Sequence, residues 1–140
     1  MILEISSTNV ENIELLKEFI ASMGDSSNSF RYFNSRQISV IDNHLSTILL
    51  LYKNKPIGYG HLDKEVDNVW LGIAISQKFL GHGYGNVVMQ YLIKKADDLK
   101  VPEVKLSVDE NNDKAIKLYI KYGFVKQREE NGVLFFSRKG

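Results

Sequence analysis

Cysteine is absent from this chain of 140 residues. Its absence excludes disulfides, thiolate metal sites and a cysteine nucleophile, and it is compatible with a reducing compartment. An excess of one charge is missing too. The chain carries 18 basic and 17 acidic residues, a balance that argues against a protein whose main work is to coat nucleic acid. No apolar run approaches the ~20 residues of a membrane span. The opening Met-Ile-Leu-Glu-Ile-Ser-Ser-Thr lacks the basic region and long apolar stretch of a signal peptide. There are only 2 prolines, and no linker, repeat or low-complexity segment divides the sequence. The expectation is one soluble, cytoplasmic domain over residues 1–140, large enough to bury roughly two-thirds of its unfolded surface.

What is present is a patterned mixture of strands and helices. Ile2 to Ile5 alternates weakly, as an edge strand would. Thr8 and Glu11 fit a capping box, and the helix after them carries Val10, Ile13, Leu16, Phe19 and Ile20 on one face. Phe30 to Ile41, with its aromatics and two arginines, suits a short helix or a docking segment. Leu45–Tyr52, Ile57–Leu62 and Val69–Ile75 are rich in aliphatic and β-branched residues and are separated by polar turns, so they predict an antiparallel meander. Val88, Tyr91, Leu92, Lys95, Ala96 and Leu99 recur at helical spacing. Val104–Val108 follows as a strand, and this strand–helix–strand order implies a parallel pair with a right-handed crossover. Asn112 is a good N-cap for a helix over Asp113 to Tyr122, with Gly123 at its C-terminal end. Asn131-Gly132 predicts a hairpin turn between the last two strands. The order is β-α-α-β-β-β-α-β-α-β-β, an α+β fold with a mixed, mostly antiparallel sheet flanked by helices.

The most informative stretch is Ile75-Ser-Gln-Lys-Phe-Leu-Gly81-His-Gly83-Tyr-Gly85. An apolar strand runs into a loop with glycine at every second position, and the loop opens a helix. Residues without Cβ let a ligand approach the backbone, and a helix start offers unpaired N–H groups and the positive end of the macrodipole. A phosphate or pyrophosphate is the natural guest. Isolated glycines also serve as plain tight turns. The loop is neither a Walker loop nor the G-x-G-x-x-G fingerprint. A nicotinamide-binding βαβ unit, with Asp109 on the ribose, is disfavoured because a meander precedes the loop and only ~30 residues follow Asp109.

A second constellation reads Asn112-Asp-Lys-Ala115-Ile116-Lys-Leu118-Tyr119-Ile-Lys-Tyr-Gly123-Phe124. In this order and separation the pair resembles the GCN5-related N-acetyltransferase family. That family's motifs are a strand followed by R/Q-G-x-G-x-G/A, and a strand followed by N-x-x-A-x-x-x-Y-x-x-x-G-F. The resemblance implies the acyl-CoA N-acyltransferase fold and acetyl-CoA as cosubstrate. The loop formed by Leu80, Gly81, His82, Gly83, Tyr84 and Gly85 would cradle the pyrophosphate. The strand ending at Ile75 would splay from Val104–Val108 at a bulge, so that backbone groups at Ile73 and Ile75 pair with the pantetheine arm. Asn112 would hydrogen-bond that arm, and Tyr119 would meet the thioester sulfur.

A tyrosine hydroxyl with a reference pKa near ~10 is protonated at neutral pH and can serve a leaving thiolate. Leu80 departs from the family's Arg or Gln, so the main chain would hold the phosphate, with Lys78 or His82 to supply charge.

The base is open. The strand Val69–Ile75 has no titratable side chain, and Ser107 occupies a second common place. His61 is favoured because an imidazole titrates near neutrality, and His44, Asp63 and a water relay remain. Phe30, Arg31, Tyr32, Phe33, Arg36 and His44 lie where the family builds its acceptor wall, and the arginines could grip a phosphate or carboxylate. This region looks loosely like acetyltransferases of surface-polysaccharide pathways, which suggests an amino sugar or sugar nucleotide as acceptor. A protein or peptide amine, or a non-catalytic acyl-CoA-binding module, is the alternative. No metal site is expected, and a homodimer is left open.

Overall fold

The computed structural model describes Met1–Gly140. Seven strands form one sheet in the order β1-β2-β3-β4-β5-β7-β6. They are β1 (Ile2–Glu4), β2 (His44–Tyr52), β3 (Lys55–Glu65), β4 (Asn68–Ile75), β5 (Glu103–Asp109), β6 (Val125–Glu130) and β7 (Val133–Lys139). Three α-helices, α1 (Val10–Ala21), α2 (Tyr84–Asp98) and α3 (Asp113–Lys121), complete the fold. Every strand pairing is antiparallel except β4 with β5. The edge strand β1 is only 3 residues long, and β6 at the opposite edge is exposed throughout and bulged between Lys126 and Arg128.

Strand alternation divides the core between the two faces of the sheet. Ile48, Leu50, Leu62, Leu71 and Ile75 pack against Val88, Met89 and Leu92 of α2. Leu49, Tyr59 and Ala74 pack on the other face against Leu16 and Phe19 of α1. Gly60 lets α2 approach closely, since a Cβ there would stand 2.6 Å from Val88 Cγ1.

Local chemistry explains the boundaries. Asn112 Oδ1 accepts from the Ala115 amide at 3.3 Å, and Gly123 takes φ +91° beyond α3. Asn131 and Gly132 both have positive φ, 52° and 80°, as a type I′ hairpin turn requires.

Three expectations change. α1 is capped by Asn9 rather than Thr8: Asn9 Oδ1 accepts from the Asn12 amide at 3.0 Å, while Thr8 Oγ1 bonds Ser6 Oγ. Asn is the stronger cap. Phe30 to Ile41, read as a short helix or a docking segment, forms no α-helix but 3-10 turns at Tyr32–Asn34 and Ile38–Asn43, and a further turn at Gly24–Asn28 precedes it. Ser and Asn residues along Gly24–Asn43 compete for local backbone groups; in the first turn Ser27 Oγ donates to the Gly24 carbonyl at 3.0 Å. The turns present Phe30 and Phe33 to the core beside Tyr59. Finally, β4 and β5 do splay, but without a bulge in β4. Their parallel pairing covers only Val69 with Val104 and Trp70 with Lys105, whereas β4 keeps an unbroken register with β3 from Asn68 to Ile75.

Candidate active site

The splay opens a cavity of about 900 Å³ that reaches both faces of the sheet. One mouth is the glycine loop. Gly81 and Gly83 both have φ +81°, and a Cβ on either would find nothing within 4 Å. The N–H groups of Gly81, His82, Gly83, Tyr84 and Gly85 make no hydrogen bond within the chain outside helix and strand ladders. Gly83 is the N-cap of α2 and offers no side-chain acceptor to the helix start. A row of unpaired amides at the positive end of a 15-residue helix suits a diphosphate.

Beyond Trp70, β4 has no ladder partner on the β5 side. Unpaired strand backbone of this kind accepts an extended, amide-bearing chain. Asn112 lines the same cavity; its Oδ1 is used in the cap, so its amide nitrogen is left to donate to a ligand. These features fit the adenosine diphosphate and pantetheine parts of acetyl-CoA. Ile73, Ile75, Leu80, Gly81, Gly83, Tyr84, Gly85, Asn112 and Tyr119 all line the cavity. His82 is solvent-exposed and outside that wall, so its contribution is its backbone. Leu80 is 47% exposed and brings no charge.

Tyr119 projects from α3 to the inner end of the split. It is 7% exposed, and its hydroxyl has no protein hydrogen-bond partner. Burial pushes its pKa up to about 12. Full proton transfer to a thiolate of pKa ~8.5 would then cost about 5 kcal/mol. The group is better suited to donate a hydrogen bond than to give up its proton.

The other mouth lies on the α1 face. Period-two alternation along β3 sets Tyr59, His61 and Asp63 on one side, under the rings of Phe30, Tyr32 and Phe33. Tyr59 Oη lies 2.7 Å from His61 Nδ1. Tyr32 Oη donates to Asp63 Oδ2 at 2.7 Å and also lies 2.8 Å from His44 Nε2. His44 Nδ1 meets Thr47 Oγ1 at 2.7 Å. The His44 and His61 ring centroids are 4.6 Å apart.

Burial, opposed by the Asp63 charge, pulls His44 down to about 4. Burial, and then the neighbouring His44, pulls His61 well below the ordinary histidine value. Both imidazoles are therefore neutral at pH 7. Burial and the Asp63 carboxylate raise the Tyr32 hydroxyl above the ordinary tyrosine range. His61 touches β4 at Gly72, where a Cβ would stand 2.5 Å from Nε2.

The arginines of the acceptor wall are engaged within the protein. Arg31 makes a two-pronged pair with Asp109, both contacts at 3.2 Å. Arg36 lies 4.3 Å from the Tyr32 ring centroid and donates to the Tyr32 carbonyl at 3.0 Å. Asp63 and Glu65 face the cavity. On the loop side, Gln77 donates to Asp25 Oδ2 at 3.1 Å and accepts from the Asp25 amide at 2.8 Å.

Sequence reasoning brought together the glycine loop, Asn112, Tyr119, His61 and the acceptor wall. It missed Tyr59, Thr47 and Gly72 as parts of the site. The signal for Tyr59 was available: a tyrosine two residues before a strand histidine shares its face.

The chain matches the model of the acetyltransferase (GNAT) family over residues 10–124. It is 28% identical over 126 residues to the spermine/spermidine N(1)-acetyltransferase of Bacillus subtilis (strain 168), a match covering 80% of each chain. Two solved structures share the fold. The ribosomal-protein-S18-alanine N-acetyltransferase from Escherichia coli has a TM-score of 0.76 at 19% identity, with 99% of this chain and 92% of that one covered. The PaiA N-acetyltransferase from Thermoplasma acidophilum, in complex with coenzyme A, has a TM-score of 0.75 at 15% identity, with 100% and 98% covered.

Proposed function

This chain belongs to the acetyltransferase (GNAT) family and is an acetyl-CoA-dependent N-acetyltransferase, and on that premise we propose that it acetylates a small primary amine that reaches the site as a cation. The observation that carries the reading is the acidic end of the cavity. Asp63 keeps its Oδ1 free of protein partners while Tyr32 occupies Oδ2. Glu65 lines the same wall. Of the two arginines on this wall, Arg31 is neutralised by Asp109, and Arg36, held on the Tyr32 ring and carbonyl, is outnumbered by the two carboxylates. A carboxylate in a low-dielectric wall attracts an ammonium group. The relative from Bacillus subtilis is named for a polyamine acceptor, which agrees in charge. No observation supports the amino-sugar acceptor suggested by the sequence.

Bound acetyl-CoA supplies an activated acetyl group. The loop from Leu80 to Gly85 holds the diphosphate through its backbone amides, and β4 aligns the arm through the unpaired edge at Ile73 and Ile75. Asn112 fixes the arm from the α3 side. Tyr119 donates its hydroxyl hydrogen bond to the departing sulfur, and the N–H groups of the splayed strand stabilise developing charge on oxygen. The acceptor's proton leaves toward the β3 end, where His61 and Asp63 face the cavity.

A panel of diamines, polyamines, amino sugars, amino acids and peptide N-termini, read by thiol release, tests the proposal. Turnover is expected with the di- and polyamines. Turnover confined to amino sugars or peptides would overturn the acceptor class. Acetyl-CoA binding without thiol release from any amine would favour a non-catalytic acyl-CoA module.

A further inference from the structure

His61 is the natural candidate for the proton acceptor, yet its hydrogen bonds point elsewhere. Tyr59 is fully buried, and its hydroxyl has one polar neighbour, His61 Nδ1 at 2.7 Å. A hydroxyl carries a proton that needs an acceptor, and buried polar groups are almost always paired. The Tyr59 O–H therefore donates to Nδ1. A neutral imidazole holds one proton, so the proton of His61 sits on Nε2, the atom against Gly72 in the cavity wall. The reverse arrangement, with Nδ1–H donating to Tyr59, leaves the tyrosine proton without a polar acceptor in the core.

The neighbouring ring obeys the same accounting. Tyr32 spends its proton on Asp63 Oδ2, so its oxygen accepts from His44 Nε2–H. His44 Nδ1 then accepts from Thr47 Oγ1. Both nitrogens of His44 are occupied. Within the cluster this leaves one free acceptor facing the cavity, Oδ1 of Asp63.

We propose that Tyr59 is a positioning residue that locks His61 with its proton on Nε2, so that His61 serves the cavity as a hydrogen-bond donor while Asp63 Oδ1 takes the proton lost by the amine. The reaction balances. The ammonium gives its first proton to Asp63, which frees the nitrogen lone pair. That nitrogen bonds to the acetyl carbon, and the carbon–sulfur bond breaks with its electron pair on the sulfur that Tyr119 hydrogen-bonds. The second nitrogen proton passes to that sulfur, so that coenzyme A leaves as the thiol. The proposal rests on the acetyltransfer reading for its chemistry, but the lock itself does not.

The test has two parts. The first is long-range 1H–15N NMR of the 15N-labelled protein without substrate, with His61→Gln used to assign the signals. A pyrrole-type Nε2 and a pyridine-type Nδ1 on His61 are expected, with Tyr59→Phe mixing the two tautomers. A proton on Nδ1 in the wild-type protein overturns the lock, whatever the enzyme acetylates.

The second part compares His61→Gln with His61→Ala, using the best amine of the panel. Glutamine can donate but cannot take the proton. Turnover of His61→Gln within about tenfold of wild type is expected, against a loss of order 10²-fold or more in His61→Ala. Asp63→Asn should lose 10²- to 10⁴-fold and the acidic limb of the kcat/KM profile. His61→Gln as inactive as His61→Ala, or Asp63→Asn retaining that limb, overturns the assignment.

Discussion

Replacing Gly72 by alanine tests the geometry of the acceptor mouth without touching a polar group. The new Cβ would stand 2.5 Å from His61 Nε2 and 2.6 Å from Cε1. Ordinary contact begins at 3.4 Å, so the ring must retreat by about 0.9 Å. The Tyr32 and His44 ring centroids, 4.4 and 4.6 Å away, resist a retreat on their side, and a swing into the cavity displaces the imidazole from its place in the wall. Overpacking of this kind costs about 1–3 kcal/mol. For a chain of this size, with ~2.1 cal/mol/K of unfolding entropy per residue, that is a Tm loss of about 3–10 °C. A displacement of about 1 Å at a positioned group costs on the order of 10²-fold in rate.

Gly60→Ala is the control. Its Cβ would meet Val88 and Leu92 at 2.6 and 2.9 Å on the opposite face of the sheet. Differential scanning fluorimetry should show comparable Tm losses for both variants. In thiol-release kinetics with saturating acetyl-CoA, only Gly72→Ala should lose about 10²-fold in kcat. Equal kcat values in the two variants would refute the claim that the position of His61 matters to the chemistry.

Tyr119→Phe should lower kcat by about 10²-fold or more while calorimetric titration gives an unchanged CoA affinity, because the free hydroxyl serves the sulfur and not the cradle. Acetyl-CoA at 100 times its Kd should stabilise the fold by about 2.7 kcal/mol, roughly 9 °C in Tm for this chain length. Gly83→Ala should weaken CoA binding tenfold or more with only a small Tm loss in the free protein, since its Cβ is strained by φ +81° but meets no atom of the chain. Stability should fall as pH drops from 6.5 toward 4. In that window an unfolded His44 binds a proton that the folded one, with a pKa of about 4, refuses. Above pH 6.5 both histidines are neutral folded or unfolded and stability is level at this site; His44→Gln should lessen the slope in denaturant titrations and leave the share of His61.

The legible parts of the fold and site were those written in contiguous residues. Gly81, Gly83 and Gly85 mark the loop whose amides stay unpaired, Asn112 and Gly123 bracket α3, and the run from Asn112 to Phe124 sets Asn112 and Tyr119 on the cavity wall. The unread parts depend on residues far apart in the chain. Tyr32 reaches Asp63 across 31 positions and Arg31 reaches Asp109 across 78. No periodicity encodes such pairs. Phe30 to Ile41 read ambiguously because its structure is set by docking against Tyr59 and not by propensity. The absent bulge has a similar origin: β4 leaves β5 by losing its partner beyond Trp70, an event on the neighbouring strand that Val69–Ile75 does not record.

The interrupted sheet also bears on how the chain avoids sticking to itself. An open sheet has two outer edges, and the splay adds two inner ones along β4 and β5. Unpaired strand edges are templates for aggregation. The outer pair is blunted: β1 has only 3 residues, and β6 sets Lys126, Arg128, Glu129 and Glu130 on a bulged, exposed ribbon. The inner pair is mostly apolar, with Leu71, Ile73, Ile75 and Val108 lining it, and its one charge, Asp109, is paired with Arg31. Its protection from other chains is its position inside the cavity between the two strands. The enzyme thus carries its most adhesive backbone along the wall where we propose that its cosubstrate binds.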